Sequence, residues 1–281
     1  MAAQTLRKRL ADRLVRQLGL PQLQPMYQAL LRASLLGMNV GGGTQSLRYS
    51  GELHAMRHLK RLLALDGRDA VIFDVGAHSG QYAATILSVF EGQAHVYCFE
   101  PMPQTFAGLR ARFAGTPCVH PYPFAVGRRD GTITLHMNAA RSGLASVFPD
   151  ALEVNGVAVT ETTSVDMVRL DTFCRARGID RIHFLKADVE GAELDVLCGA
   201  GRLVEEERID AIQFEFGEGH LASRTFFRDF FSLLNPSYHL YRILPHGLYP
   251  LREYRTLYDI FVSGTNFVAI ARRLERVGPQ G

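Results

Sequence analysis

Three carboxylates stand where short apolar runs end. Asp74 closes Val71-Ile72-Phe73, Glu100 follows Val96-Tyr97-Cys98-Phe99, and Asp188 follows Phe184-Leu185-Lys186-Ala187. Runs of this length read as buried strands, so each acid is expected at the carboxyl end of a strand. Asp74 opens the loop Val75-Gly76-Ala77-His78-Ser79-Gly80, and a helical pattern follows over residues 81–90. Glycines in such a loop let a ligand approach backbone amides closely. The spacing Gly76-xxx-Gly80 is neither GxGxxG nor GxxxxGK[ST], and a P-loop lysine is missing. A carboxylate at the mouth of the loop repels a pyrophosphate and attracts a sulfonium or an ammonium, which points to S-adenosylmethionine. Glu100 lies 20 residues after Gly80. At that spacing an acid on the second strand holds a ribose diol, of NAD or of S-adenosylmethionine alike. A solvated strand end or a helix cap explains either acid alone. The pair on successive strands favours an adenosyl ligand.

The segment Asp188-Val189-Glu190-Gly191-Ala192-Glu193 opens another helix. In a doubly wound sheet the strand after the crossover lies beside the first, which would bring Asp188 next to Asp74. Glu190 and Glu193 also suit a helix N-terminus on charge alone. Gln213-Phe214-Glu215-Phe216-Gly217-Glu218-Gly219-His220 reaches the same rim. Glu215 sits inside an apolar run and needs a partner there. His220 reads equally as a general base or as an exposed loop histidine. His78 reads as a residue of the cofactor loop. The catalytic candidates are therefore Asp188, His220 and Glu190. The rival arrangement is a divalent cation on Asp188 and Glu215, whose oxygen ligands suit magnesium. The residues do not choose between base and metal.

These residues need a sheet to position them. From residue 70 onward, strand-like runs at 71–75, 95–99, 119–126, 132–137, 183–187, 209–216, 238–244 and 266–272 alternate with helical segments at 81–90, 104–113, 171–177, 192–206 and 225–234. Arg128-Arg129-Asp130-Gly131 reads as the turn between the third and fourth strands. Alternation at this spacing predicts an α/β fold, a doubly wound and mostly parallel sheet over residues 67–281. Residues 1–66 form a helical N-terminal extension in this reading. Leu6, Leu10, Leu14 and Leu18 make one stripe, opposite Lys8, Arg9, Arg13 and Arg16. That stripe suits packing on the domain or on a second copy in a homo-oligomer, and also peripheral contact of residues 6–18 with an anionic membrane. Its one-residue width favours packing. Gly41-Gly42-Gly43 marks a joint, and residues 52–65 a second helix.

Composition narrows the class further. Among 281 residues, 47% are hydrophobic and 21% charged, which excludes disordered and fibrous chains. A net charge of +3 does not suit a dedicated nucleic-acid binder. The basic excess is concentrated before residue 70. Cys98, Cys118, Cys174 and Cys198 contain no CxxC pair and read as reduced thiols, with neither a disulfide framework nor a cysteine zinc site. No apolar run reaches transmembrane length and residues 1–20 lack a signal-peptide core, so a cytoplasmic location is expected.

Taken together the segments resemble the FkbM-type methyltransferases, a class I S-adenosylmethionine-dependent family. The likeness is carried by Phe73-Asp74-Val75-Gly76-Ala77-His78-Ser79-Gly80, by Phe99-Glu100-Pro101-Met102-Pro103-Gln104-Thr105-Phe106, by Ala125-Val126-Gly127 with Asp130-Gly131, by Leu170-Asp171-Thr172-Phe173-Cys174, and by Phe184-Leu185-Lys186-Ala187-Asp188-Val189-Glu190-Gly191-Ala192-Glu193. A closing Asn266-Phe267-Val268-Ala269 is also similar. The resemblance implies a seven-stranded, mostly parallel Rossmann-like sheet with an antiparallel last hairpin. It implies O-methylation of a hydroxyl on a sugar, a glycoconjugate or a glycosylated natural product. Asp74, Gly76 and Gly80, with Ala77 and His78, would cradle the methionine end. Glu100 and Pro101 would lie at the ribose, Ala125 near the adenine, and Asp188 at the reacting methyl. Arg112 and Arg128 depart from the family pattern. An NAD-dependent oxidoreductase is the rival enzyme; the missing GxGxxG and the acid at Asp74 argue against it. A non-catalytic scaffold docking through the basic N-terminal region is the other rival, and the two strand-end acids argue against that.

Overall fold

In the computed structural model, residues 17–44, 46–65, 67–138, 145–150, 156–261 and 263–275 are described. The apolar runs form the centre of an eight-stranded sheet. Its strands are β1 (Ala70–Val75), β2 (Ala94–Phe99), β3 (Val119–Tyr122), β8 (Ile182–Ala187), β9 (Ile209–Phe216), β10 (Tyr238–Leu244), β11 (Gly247–Leu251) and β12 (Thr265–Ala271). Their order across the sheet is β11-β10-β12-β9-β8-β1-β2-β3. The five strands from β9 to β3 run parallel. β12 runs antiparallel to both β9 and β10, and β11 antiparallel to β10. β1 lies between β2 and β8, so strand order reverses there. A ligand crevice is expected at such a switch point.

Helices cover both faces, which is why the central strands are apolar on both sides. Successive side chains of β1 enter different cores. Phe73 and Val75 join Phe99, Phe173, Leu185, Val196 and Phe214 on one face. Ile72 faces the other core with Ala83 and Ile86 of α3 (Gln81–Val89) and with Ala55, Met56 and Leu59 of α2 (Glu52–Leu63). Residues 52–63 thus share the core of the domain that follows them.

Several expectations are corrected. The main sheet has eight strands rather than seven, because the turn at Pro245-His246 returns the chain as β11. The run 119–126 is two strands. Pro123 has no N–H for a ladder, and the chain leaves β3 to form β4 (Ala125–Val126) in a second, four-stranded sheet. That sheet has the order β4-β7-β5-β6, with β5 (Gly131–Met137), β6 (Ala145–Ser146) and β7 (Glu161–Val168). β7 lies between β4 and β5, so Arg128–Gly131 joins strands that do not pair. The expected helix over 192–206 is broken at Ala200 into α6 (Glu193–Gly199) and a shorter turn of helix, Gly201–Glu205. α4 covers Pro103–Arg112 and α5 Leu170–Arg177. α1 (Gln24–Gly37) was not anticipated. The amphipathic stretch 6–18 lies outside the described residues except for Gln17 and Leu18. Among the described residues no helix is long and apolar enough to cross a membrane, and all four cysteines are free.

Candidate active site

The glycine loop after β1 is fixed by backbone geometry. Gly76 has φ +82°, and a Cβ there would stand 1.8 Å from the Asp188 carbonyl oxygen. Only glycine lets β1 and the segment after β8 approach so closely. The Gly76 and Ala77 N–H groups both donate to the Phe99 carbonyl at 3.0 Å, and the Asp188 N–H donates to the Val75 carbonyl at 3.0 Å. Gly80, at φ +75°, turns the chain into α3 against Phe113 and Leu109. Glu100 ties the loop to β2. Its two oxygens accept the N–H groups of His78 and Met102, each at 2.9 Å. Burial pushes the Glu100 carboxyl above the usual range, and those two amides pull it back.

Below the loop, three neighbouring strands place polar side chains at one level of one face. Asp74 is paired in register with Lys186, and Lys186 with Gln213. The Lys186 Nζ lies 3.1 Å from Asp188 Oδ2 and 3.7 Å from Asp74 Oδ1, over the ring of Tyr82. Burial alone would lower the Lys186 pKa; Asp188 and Asp74 outweigh it and raise it, so the ammonium is charged. Gln213 accepts the Tyr82 hydroxyl at 2.8 Å and donates to Glu52 at 2.7 Å and Asn266 at 3.2 Å. Ser50 Oγ donates to the other Glu52 oxygen at 2.8 Å. Helices α2 and α3 thus close a buried polar row over β1, β8 and β9.

Two cavities meet at this row. The smaller, about 280 Å³, is lined by Gly76, His78, Glu100, Pro101, Ala125 and Asp188, with Phe124, Val126, Leu135 and Val147 as apolar walls. The larger, about 1180 Å³, runs between α2 and α3 and is lined at its top by Gly76, Ala77, His78, Lys186, Asp188 and Asn266. Asp188, with 39% of its side chain exposed, borders both. The small cavity suits a nucleoside: apolar faces for a base, and an acid just past the end of β2 for a ribose. The exposed loop at its edge suits an amino-acid tail.

The remaining candidates divide sharply. Asp74 lines neither cavity; it is 0% exposed beneath the loop, with Lys186 as its nearest cation. Gly80 serves the turn rather than a wall. His220 is buried at 3% exposure in a short helix, Gly219–Ser223. Its Nδ1 accepts the Gly217 N–H at 3.2 Å and its Nε2 lies 3.0 Å from Glu193. It is neither the exposed loop histidine of the sequence reading nor a residue of either cavity. Glu193 in turn accepts the N–H groups of Val189 and Gly191. Glu190, at φ +56°, borders the small cavity. Burial, with Asp188, Glu193 and Glu218 nearby, raises its carboxyl to about 8. Glu215 is pushed well above the usual range by burial and by Asp188 and Glu190. Its carboxylate is packed against the backbone of Gly43 and Gly264. Among the described residues no group of three or more His, Cys, Asp or Glu is arranged to hold a metal ion. The Lys186 ammonium already holds Asp188, so the pair Asp188 and Glu215 does not fit a magnesium site.

Residues 74–243, which span the glycine loop, the lining of the smaller cavity and Asp74, Lys186 and Gln213 of the polar row, match the methyltransferase FkbM domain. The chain belongs to the FkbM methyltransferase family. The FkbM chain described here is 28% identical over 203 residues to the 2-O-methyltransferase NoeI of Sinorhizobium fredii, covering 68% of this chain and 81% of that one. It is 24% identical over 163 residues to the hexuronic acid methyltransferase AglP of Haloferax volcanii, covering 57% and 62%. The crystal structure of an FkbM methyltransferase from Methylobacillus flagellatus is similar at 17% identity and a TM-score of 0.43, covering 72% of this chain and 43% of that one. Membership replaces the oxidoreductase and scaffold readings.

Lys186, Gln213, Glu52, Tyr82 and Asn266 were not among the sequence candidates. Lys186 and Gln213 carried a usable signal. Each is a long polar residue inside a run that must be buried, and a buried polar group needs partners. Glu52, outside the matched segment, carried none.

Proposed function

We propose that the protein transfers the methyl group of S-adenosylmethionine to a hydroxyl oxygen of a sugar or glycoconjugate, with Asp188 as the base. The observation that carries this is the position of Asp188 at the junction of a nucleoside-shaped cavity and a larger polar groove. The names of the two relatives support an oxygen acceptor and a sugar. When bound, S-adenosylmethionine supplies a methyl group on a sulfonium sulfur, which keeps the bonding electrons. Glu100 would accept the ribose hydroxyls, and Ala125, Phe124 and Leu135 would enclose the base. Gly76, Ala77 and His78 would meet the amino-acid end. Asp188 would take the hydroxyl proton as the oxygen–carbon bond forms. Lys186 is a positioning residue that fixes the Asp188 carboxylate through a 3.1 Å contact. Holding oxygen and carbon about 3 Å apart supplies much of the acceleration.

Glu100→Ala tests the cofactor half of the reading. It removes the acceptor for the ribose and frees two backbone N–H groups, so S-adenosylhomocysteine affinity is expected to fall at least about tenfold in calorimetry. Unchanged affinity would remove Glu100 from the site.

Contact with an anionic membrane is part of the same proposal. Leu30, Leu31 and Leu36 of α1 are 56%, 51% and 71% exposed, and only Leu35 of that helix is buried. Three leucines left in water on one helix need a cover. The preceding sequence carries Arg7, Lys8, Arg9, Arg13 and Arg16, which suit acidic headgroups. The wild-type chain is expected to sediment with phosphatidylserine vesicles, and Leu30→Glu with Leu31→Glu to abolish this. A salt-independent dimer lost in the same variant would instead identify a second copy as the cover.

A further inference from the structure

We infer that the groove between α2 and α3 binds an anionic stretch of the acceptor, with Arg57 and Arg61 holding a carboxylate or phosphate. This deepens the methyl-transfer reading and rests on it. The groove starts at Lys186, Asp188 and Asn266 and descends along both helices. On α2, Glu52 marks the level of the polar row through its bond to Gln213. At a rise of 1.5 Å per residue, Arg57 stands about 7.5 Å and Arg61 about 13.5 Å farther along. The facing wall on α3 is Ala84, Thr85 and Ser88, whose small side chains leave the groove open.

Charge along this wall is arranged unequally. Lys60 is paired with Glu91 at 2.9 Å. Arg57 and Arg61, four residues apart on one side of α2, have no carboxylate partner among the described residues. Like charges at that spacing weaken a helix. The helix dipole accounts for Lys60 and Arg61 in the last turn of α2, and not for Arg57. Arg112 of α4 brings a third guanidinium to the same cavity, donating to the Ser79 carbonyl at 2.9 Å. Guanidinium forks bind carboxylate and phosphate through paired hydrogen bonds. The geometry therefore selects an acceptor with an oxyanion about one and a half to two and a half helical turns from the level of the polar row, and disfavours a neutral glycan.

The test titrates the full chain, saturated with S-adenosylhomocysteine, with inorganic pyrophosphate, with trigalacturonate and with neutral maltotriose in low salt. At least one anion is expected to bind, and maltotriose more weakly. Arg57→Gln with Arg61→Gln is expected to reduce anion affinity at least about tenfold and to leave S-adenosylhomocysteine affinity unchanged. Ser88→Trp, on the facing wall, is expected to reduce trigalacturonate binding without touching a charge. Pyrophosphate binding alone identifies a phosphorylated acceptor; trigalacturonate alone identifies a uronate. Binding of neither anion, or equal binding by the double variant, overturns the inference. Failure of the wild type to bind S-adenosylhomocysteine would instead overturn the methyl-transfer reading.

Discussion

Lys186→Met is expected to lower the unfolding free energy by about 3–5 kcal/mol, the cost of leaving a buried charge without its partner. Asp74 is fully buried, and neither of its carboxylate oxygens makes a hydrogen bond of ordinary length. Its compensation is the Lys186 ammonium, itself buried beneath the loop. The methionine keeps most of the lysine stem, so lost packing is a minor part of the effect. Asp74→Asn combined with Lys186→Met is therefore expected to recover most of the loss, and urea denaturation of the three proteins measures it. The pH dependence has a definite sign. Burial already raises the Asp74 pKa from the usual 3.8, and removing Lys186 raises it further. The folded state then holds the proton more tightly than the unfolded state, so stability falls as pH rises above 3.8. The deficit of the single variant should shrink on acidification towards pH 4. A deficit that does not change with pH would mean that Lys186 serves packing rather than charge.

The parts of this architecture that were readable from sequence were those with one dominant physical cause. The run Val71–Phe73 must be buried on both faces, and β1 duly forms between β2 and β8. The crossover rule brought the segment after β8 beside β1, and the Asp188 N–H does bond the Val75 carbonyl. What was missed depends on contacts distant in sequence. β7 is largely polar and exposed, with only Val165 and Met167 buried, so its run gave no apolar signal. His220 looked available because its flanking glycines suggest an open loop. Tertiary packing instead buries it against Glu193, 27 residues earlier in the chain. Asp74 was legible as an acid at a strand end but not as the partner of Lys186, because strand register decides that pairing. The same register makes Gln213 the bridge between α2 and α3. Cross-sheet rows of this kind are invisible to any reading that follows the chain one segment at a time.

Asp188→Asn is expected to lower kcat by about 10²–10⁴, the range for removal of a general base, while S-adenosylhomocysteine affinity changes little. Asparagine keeps the shape and an oxygen for the Lys186 contact at 3.1 Å, so the orientation of the segment after β8 should persist. What it loses is the capacity to take the hydroxyl proton. Transfer of a labelled methyl group to a cell-envelope glycan extract, followed across pH, separates two roles. If Asp188 is the base, the variant loses the acidic limb of the pH–rate profile. If it only positions the acceptor, the variant keeps that limb and raises KM. His220→Gln provides the contrast: with Nε2 beside Glu193 and no access to either cavity, it should reduce thermal stability with little effect on kcat. Glu190 gives a third pattern. Its carboxyl, raised to about 8 by burial and neighbouring acids, is already protonated at neutral pH. Glu190→Gln should therefore keep the wild-type kcat near pH 7. The unfolded carboxyl ionises from about pH 4.5 while the folded one holds its proton to about 8, so the wild type loses stability across that range and the variant should gain on it there and keep a constant lead above pH 8.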